Sequence, residues 1–201
     1  VEVVLEGGAI EGNGGGQITN IDLLLNPKRN PHWNRQDFEH LHRDYLATKQ
    51  VIWLERADLA GDDTDGHIDQ LARFIGPQTV VAATAPDTSD INNLPLRENL
   101  AQLRSMTDQD GAPLDIVPLP LPQPKFHNEH RLPASYCNFY IVNEGVIVPQ
   151  FDDPADERAV AIIRELLPDR TVIGLSAIDM VWGLGAFHCL SQQQPRHSCA
   201  T

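Results

Sequence analysis

The chain has 201 residues, 41% hydrophobic and 21% charged, a composition that fits one globular domain able to bury a core without disulfides. Fifteen Lys and Arg against 28 Asp and Glu leave a net charge of −13, which argues against nucleic-acid binding, where clustered cations are needed, and suits a cationic substrate. No apolar run nears the roughly 20 residues that span a bilayer, no signal-peptide core follows Val1, and Cys137, Cys189 and Cys199 are too scattered for a disulfide framework, so a cytoplasmic protein with free thiols is expected.

Taken in order, the chain repeats one series of elements three times and begins a fourth. The first copy, about residues 1–60, starts with an apolar strand from Val1 to Leu5. A Gly-rich turn at Gly12–Gly16 follows, then a second strand from Gln17 to Leu25. The stripe Phe38, Leu41, Tyr45 and Leu46 predicts a helix over 34–46, and Val51–Leu54 a closing strand. The second copy, about 61–125, reads as a strand from His67 to Ile75, a Gly76-Pro77 turn and a strand from Thr79 to Ala83. A helix around 96–107 and a strand from Leu114 to Val117 complete it. Prolines at 113, 118, 120, 122 and 124 predict an extended, polyproline-like surface loop. Phe126 to Arg131 carries His127 and His130, and without a further ligand at metal-binding spacing it reads as a loop.

The third copy, about 134–178, has strands from Ser135 to Val142 and from Val146 to Val148 around a turn at Asn143-Glu144-Gly145. Its helix is capped by Asp153 with Pro154 in the first turn, and its apolar stripe is Ala159, Ile162, Ile163, Leu166 and Leu167. The closing strand is Thr171–Ile173. A fourth copy, 179–201, breaks off before its helix. Ile18, Val80 and Val146 sit at matching second-strand positions, so the fold class is α/β, with ββαβ modules arranged about an axis. An ordinary α/β sandwich with three similar units is the alternative.

Three places carry candidate chemistry. In Asp65-Gly66-His67-Ile68-Asp69-Gln70, strand alternation puts His67 and Asp69 on one face, a proton-transfer group beside an anionic anchor. Asp62, Asp63 and Asp65 just before His67 add negative charge, although a run of acids in a loop is more often only solvated surface. Cys189 follows the glycine-bearing loop Gly183-Leu184-Gly185 and is either a nucleophile or a small buried hydrophobe. If that segment is a strand, His188 faces away from it. Glu6, before Gly7-Gly8, is a weak signal alone, but Glu6, His67 and Cys189 all fall near the first strand of their copies, and equivalent positions of a pseudo-symmetric array converge on its axis.

The blocks Glu6-Gly7-Gly8, Leu23 to Pro31, Thr64 to Asp69, Ala134 to Ile141, Val148 to Asp153 and His188-Cys189-Leu190-Ser191-Gln192-Gln193-Gln194-Pro195 together resemble the agmatine deiminases. These belong to the guanidine-modifying penteins, pseudo-symmetric α/β propellers. The resemblance runs in order over essentially the whole chain and implies a pentein of about three and a half modules, matching the C-terminal part of the family. It also implies that Cys189 is the nucleophile, His67 the general acid/base, and Glu6 and Asp69 the carboxylates that hold a guanidinium. The reaction implied is hydrolysis of agmatine to N-carbamoylputrescine and ammonia, a route to putrescine and the polyamines, through an S-alkylthiouronium on Cys189 and without metal or organic cofactor.

Two departures stand out. The family's Arg-Asp-x-Gly-Pro segment, which carries a further guanidinium-binding aspartate, is absent, and the glycine run before His188 is altered. Alternatives are a peptidyl-arginine deiminase, a catalytically incomplete subunit, and a papain-like cysteine protease. A homo-oligomer, or an N-terminal segment supplied in trans, is the partner expected beside the small cationic substrate.

Overall fold

In a computed structural model the structure describes residues 2–194, so Cys199, Val1 and the expected strand residue it carries lie outside the described residues. Three three-stranded sheets share one plan, in which an antiparallel hairpin is followed by a helix and a closing strand parallel to the second. The first comprises β1 (Glu11–Gly12), β2 (Gly16–Asn20), a short α1 (Ile21–Leu24), α2 (Arg35–Leu46) and β3 (Gln50–Leu54). The second comprises β4 (Ala72–Phe74), β5 (Thr79–Thr84), α3 (Asn93–Arg104) and β6 (Asp115–Pro120). A two-stranded hairpin, β7 (Phe126–His127) with β8 (His130–Arg131), precedes the third, made of β9 (Tyr140–Ile141), β10 (Gly145–Gln150), α4 (Asp156–Leu166) and β11 (Thr171–Ser176).

The matching positions behave alike. Ile18, Val80 and Val146 are all fully buried on the central strands, opposite Ile52, Ile116 and Val172 of the closing strands. Parallel closure requires the intervening helix as a crossover, and the apolar inner faces meet in one continuous core that includes Ile68, Leu119, Tyr136, Phe139 and Ile163. A satellite cluster of Ala9, Leu23, Leu24, Phe38 and Trp53 lies under α2. Asn34 forms a capping box with Asp37 at the start of α2, and Ala47 turns left-handed at its end.

Several expected elements fall differently. Residues 2–6 form no strand, because the Val4 amide and carbonyl bond the Asn30 side chain instead of a neighbouring ladder. The second strand stops at Asn20, whose side chain caps α1 by accepting from Leu23 N. On α2, Phe38 and Leu41 are buried as expected, but Tyr45 is 68% exposed and His42 takes the inner position. The expected strands His67–Ile75 and Ser135–Val142 each divide into a 3-10 turn, Ile68–Gln70 or Tyr136–Asn138, and a short strand.

Asp153 does not cap α4. It accepts from Ala155 N one turn earlier, while Asp156 accepts from Phe151 N and the Tyr136 hydroxyl. The proline-rich stretch is only partly a loop, since Pro118 and Pro120 lie in β6, which pairs with β5 alone and so tolerates a missing N–H. His127 stacks on Trp182 with ring centroids 4.1 Å apart. Among the described residues no cluster of metal-ligating side chains occurs, and no helix is long and apolar enough to cross a membrane. The fourth copy contributes a 3-10 turn, Met180–Gly183, and the turn over residues 187–190 that carries Cys189.

Candidate active site

Two loops and a 3-10 turn build the site. In the first loop Asp62 accepts from Gly66 N and Thr64 Oγ1, and Thr64 Oγ1 in turn accepts from His67 N at 2.9 Å. Gly66 holds φ +101°, where a Cβ would collide with Ala57, so the tight approach before His67 requires glycine. Arg29 clamps the outside of this loop, donating to Asp65, to the Thr64 carbonyl and to Glu6 Oε1 at 2.7 Å. Asp62 and Asp65 of the acidic run are thus parts of a hydrogen-bonded frame, while Asp63 is exposed.

His67 Nε2 lies 2.6 Å from Glu6 Oε2, and the ring packs so closely on Gly8 that any Cβ there would overlap it. Burial alone would raise the Glu6 carboxyl, but bonds from His67 and Arg29 outweigh it and hold the pKa below the ordinary value. A carboxylate on Nε2 orients the ring and leaves Nδ1 as the nitrogen free to move a proton.

Asn138, at the end of the 3-10 turn in the third module, organises the nucleophile loop. Its Oδ1 accepts from Ala186 N at 3.0 Å and Cys189 N at 3.2 Å, its Nδ2 donates to Cys189 Sγ at 3.1 Å, and its carbonyl accepts from His188 N. Cys189 reaches solvent, yet its sulfur sits among Asn138, Asp69 and Gln70. Burial, and then the Asp69 charge with its Oδ2 3.4 Å away, push the thiol up to about 12, against the lowering donor bond from Asn138. Cys137 is raised to about 12 as well, chiefly by complete burial.

Asp69 is fully buried. Its Oδ2 also meets His188 Nδ1 at 2.7 Å, while Oδ1 has no partner. These groups line a cavity of about 640 Å³ whose walls include Gly7, Gly8, Gln17, Phe74, Ile141 and Gln192. Its one lining cation among the described residues, Arg73, is paired with Glu11 through Nε at 2.7 Å and donates from Nη1 to the carbonyls of Cys137 and Phe139.

His67, Asp69 and Cys189, at most 122 positions apart in sequence, therefore share one cavity wall. Glu6 stands behind His67 and does not line the cavity. His67 and Asp69 come together through a 3-10 turn, not by strand alternation. His188 turns inward because residues 187–190 form a turn. Asn138 and Arg29 carry no distinct chemical signal in the sequence, although both lie within the blocks that carry the resemblance. A polar residue expected to be buried between apolar neighbours, Asn138 between Cys137 and Phe139, is the one signal that marks it.

An agmatine deiminase of Pseudomonas fluorescens is 37% identical over 211 residues, covering 96% of this chain and 57% of that protein. Among solved structures, one described as a peptidyl-arginine deiminase superposes with a TM-score of 0.94 at 36% identity, covering 98% of this chain and 59% of its own. A Cys-to-Ser variant of the C. jejuni agmatine deiminase, solved with substrate bound, gives a TM-score of 0.87 at 37% identity, covering 94% and 55%. The chain thus spans somewhat over half the length of the relatives it matches, and its modules are those of a pentein-type α/β fold. Residues 1–195 match the family model described as Porphyromonas-type peptidyl-arginine deiminase, and the chain belongs to that family.

Proposed function

We propose that this chain carries the reacting wall of a guanidine hydrolase whose substrate is agmatine. The observation that carries the reading is the convergence of Cys189, His67 and Asp69 on one cavity. Asp69 Oδ1, buried and unpartnered, is the acceptor for a guanidinium N–H, and that cation beside the sulfur offsets both burial and the Asp69 charge, which favours the thiolate. The thiol proton passes to His67 Nδ1 as the sulfur bonds the guanidinium carbon. His67, oriented by Glu6, gives it to the departing nitrogen, which leaves as ammonia.

Water then attacks the S-alkylthiouronium. His67 takes a proton from it and returns one to the sulfur as the C–S bond breaks, so agmatine and water become N-carbamoylputrescine and ammonia. Water is the only co-reactant the balance requires. On this reading the product feeds putrescine and polyamine formation in the cytoplasm. Asn138 Nδ2 holds the sulfur in line throughout. The rest of a family-length protein, whether on the same polypeptide or in trans, supplies the further guanidinium-binding aspartate that this chain lacks.

Agmatine is favoured over arginine because the charge of Arg73, the one lining cation among the described residues, is paired with the Glu11 carboxylate of the same lining, which leaves no uncompensated positive charge for an α-carboxylate. Ammonia release from agmatine, free arginine and a peptide ending in arginine tests the assignment. Release from agmatine alone agrees with it, and release from the arginine peptide alone overturns it. The peptide-directed reading rests on the family description and on the 0.94 superposition with a protein described as a peptidyl-arginine deiminase.

A further inference from the structure

We infer that His188 is a positioning residue for guanidinium recognition, fixing the Asp69 carboxylate so that Oδ1 faces the cation. The inference rests on the reading of Asp69 as the cation's anchor. A carboxylate held at one oxygen only can swing about its Cβ–Cγ bond, so the direction its free oxygen presents depends on what grips the other. Asp69 Oδ2 has two neighbours, His188 Nδ1 at 2.7 Å and the Cys189 sulfur at 3.4 Å, and the sulfur is the weaker partner in both length and donor strength. Gripping Oδ2 by Nδ1–H leaves Oδ1 unpartnered inside a fully buried side chain on the cavity wall.

The backbone of His188 is itself anchored on both sides. Its N–H donates to the Asn138 carbonyl at 3.2 Å, and its carbonyl accepts from Ser191 N at 3.0 Å and Ser191 Oγ at 2.9 Å. The same Asn138 fixes Cys189 through its side chain. One residue of the third module therefore sets the positions of both the nucleophile and the group that aims the anchor. His188 bonds Asp69 directly and acts through it.

The test uses two alkylating reagents on the 201-residue chain, read as the rate of Cys189 modification by mass spectrometry. Chloroacetamidine carries a planar amidinium that needs Asp69, whereas iodoacetamide is neutral and needs only the thiol. His188→Ala is expected to lower the chloroacetamidine rate about ten- to hundredfold, the size expected for one charge-assisted hydrogen bond, while the iodoacetamide rate stays within about threefold. His188→Asn, whose side-chain amide offers a donor near the place of Nδ1, is expected to recover most of the amidinium preference. Circular dichroism melting of each variant separates this from loss of fold. If the rate ratio is unchanged in His188→Ala but collapses in Asp69→Asn, the inference fails and the anchor reading stands. If Asp69→Asn also leaves the ratio unchanged, the anchor reading fails first. A proportional fall in both reagents' rates with a lowered melting point, unrescued by His188→Asn, shows a purely structural histidine and overturns the proposal.

Discussion

Arg73 offers the sharpest test of how the modules hold the site. Its guanidinium is buried, bonded to Glu11 from the first module and to the Cys137 and Phe139 carbonyls of the third, while Arg73 itself belongs to the second. Glu11 uses its other oxygen on Phe74 N at 3.1 Å. Truncating one member of a buried ion pair leaves the other charge uncompensated, at a cost of about 3–5 kcal/mol. A chain of 201 residues unfolds with an entropy of about 0.4 kcal/mol/K, taking roughly 2 cal/mol/K per residue. Glu11→Ala should therefore lower the melting temperature by about 7–12 °C. The double replacement Glu11→Leu with Arg73→Met removes both charges together and should recover at least half of that loss. Thermal melting followed by circular dichroism reads both variants. A Glu11→Ala shift below about 2 °C, or a double variant worse than the sum of its parts, would refute the account of this pair as a buried inter-module tie.

Three further outcomes follow from named contacts. Asp69→Asn removes the charge 3.4 Å from the Cys189 sulfur, so the midpoint of iodoacetamide alkylation at Cys189 against pH should fall by about one pH unit or more. An unchanged midpoint would sink that attribution. His42 is fully buried with both ring nitrogens unpartnered, and burial holds its pKa below the ordinary value. The unfolded chain therefore binds the proton first, near pH 6.5, and stability is lost as pH falls below that point. His42→Leu should flatten this acid slope in urea midpoints between pH 7 and 5, and an equal slope would show that His42 does not cause it. Gly8→Ala places a methyl in the His67 ring and should cut ammonia release from agmatine at least tenfold, with the melting temperature changed by only a few degrees. Full activity would mean that the ring position is not critical.

The repeat was legible because burying one strand in three parallel-closed sheets leaves the same apolar mark three times, at Ile18, Val80 and Val146. The helix over 34–46 is legible from its apolar stripe, of which Phe38 and Leu41 are buried, while the capping box of Asn34 with Asp37 emerges only in the structure. The repeat itself points His67 and Cys189 toward one axis, and both line one cavity, whereas the placing of Glu6 behind His67 and of Asn138 on the sulfur depends on loop contacts that periodicity does not encode. The 3-10 turns at Ile68–Gln70 and Tyr136–Asn138 read as strand because their apolar residues are buried whatever their dihedrals. The condition under which His188 would face away from Cys189, a strand, is not met, because a turn carries both, and Arg29 reads as solvated surface until its carboxylate partners Glu6 and Asp65 are in place. Tyr45 and Leu46 illustrate the converse, apolar residues on the helical stripe that the fold leaves exposed.

Covalent guanidine chemistry at Cys189 is open to direct capture by acid-quenching the chain with agmatine and mapping the adduct by peptide mass spectrometry. A thiouronium adduct is expected on the peptide carrying Cys189, absent in Cys189→Ala and strongly reduced in Asp69→Asn. Ammonia release with no adduct at Cys189, or an adduct confined to Cys137 or Cys199, would contradict it.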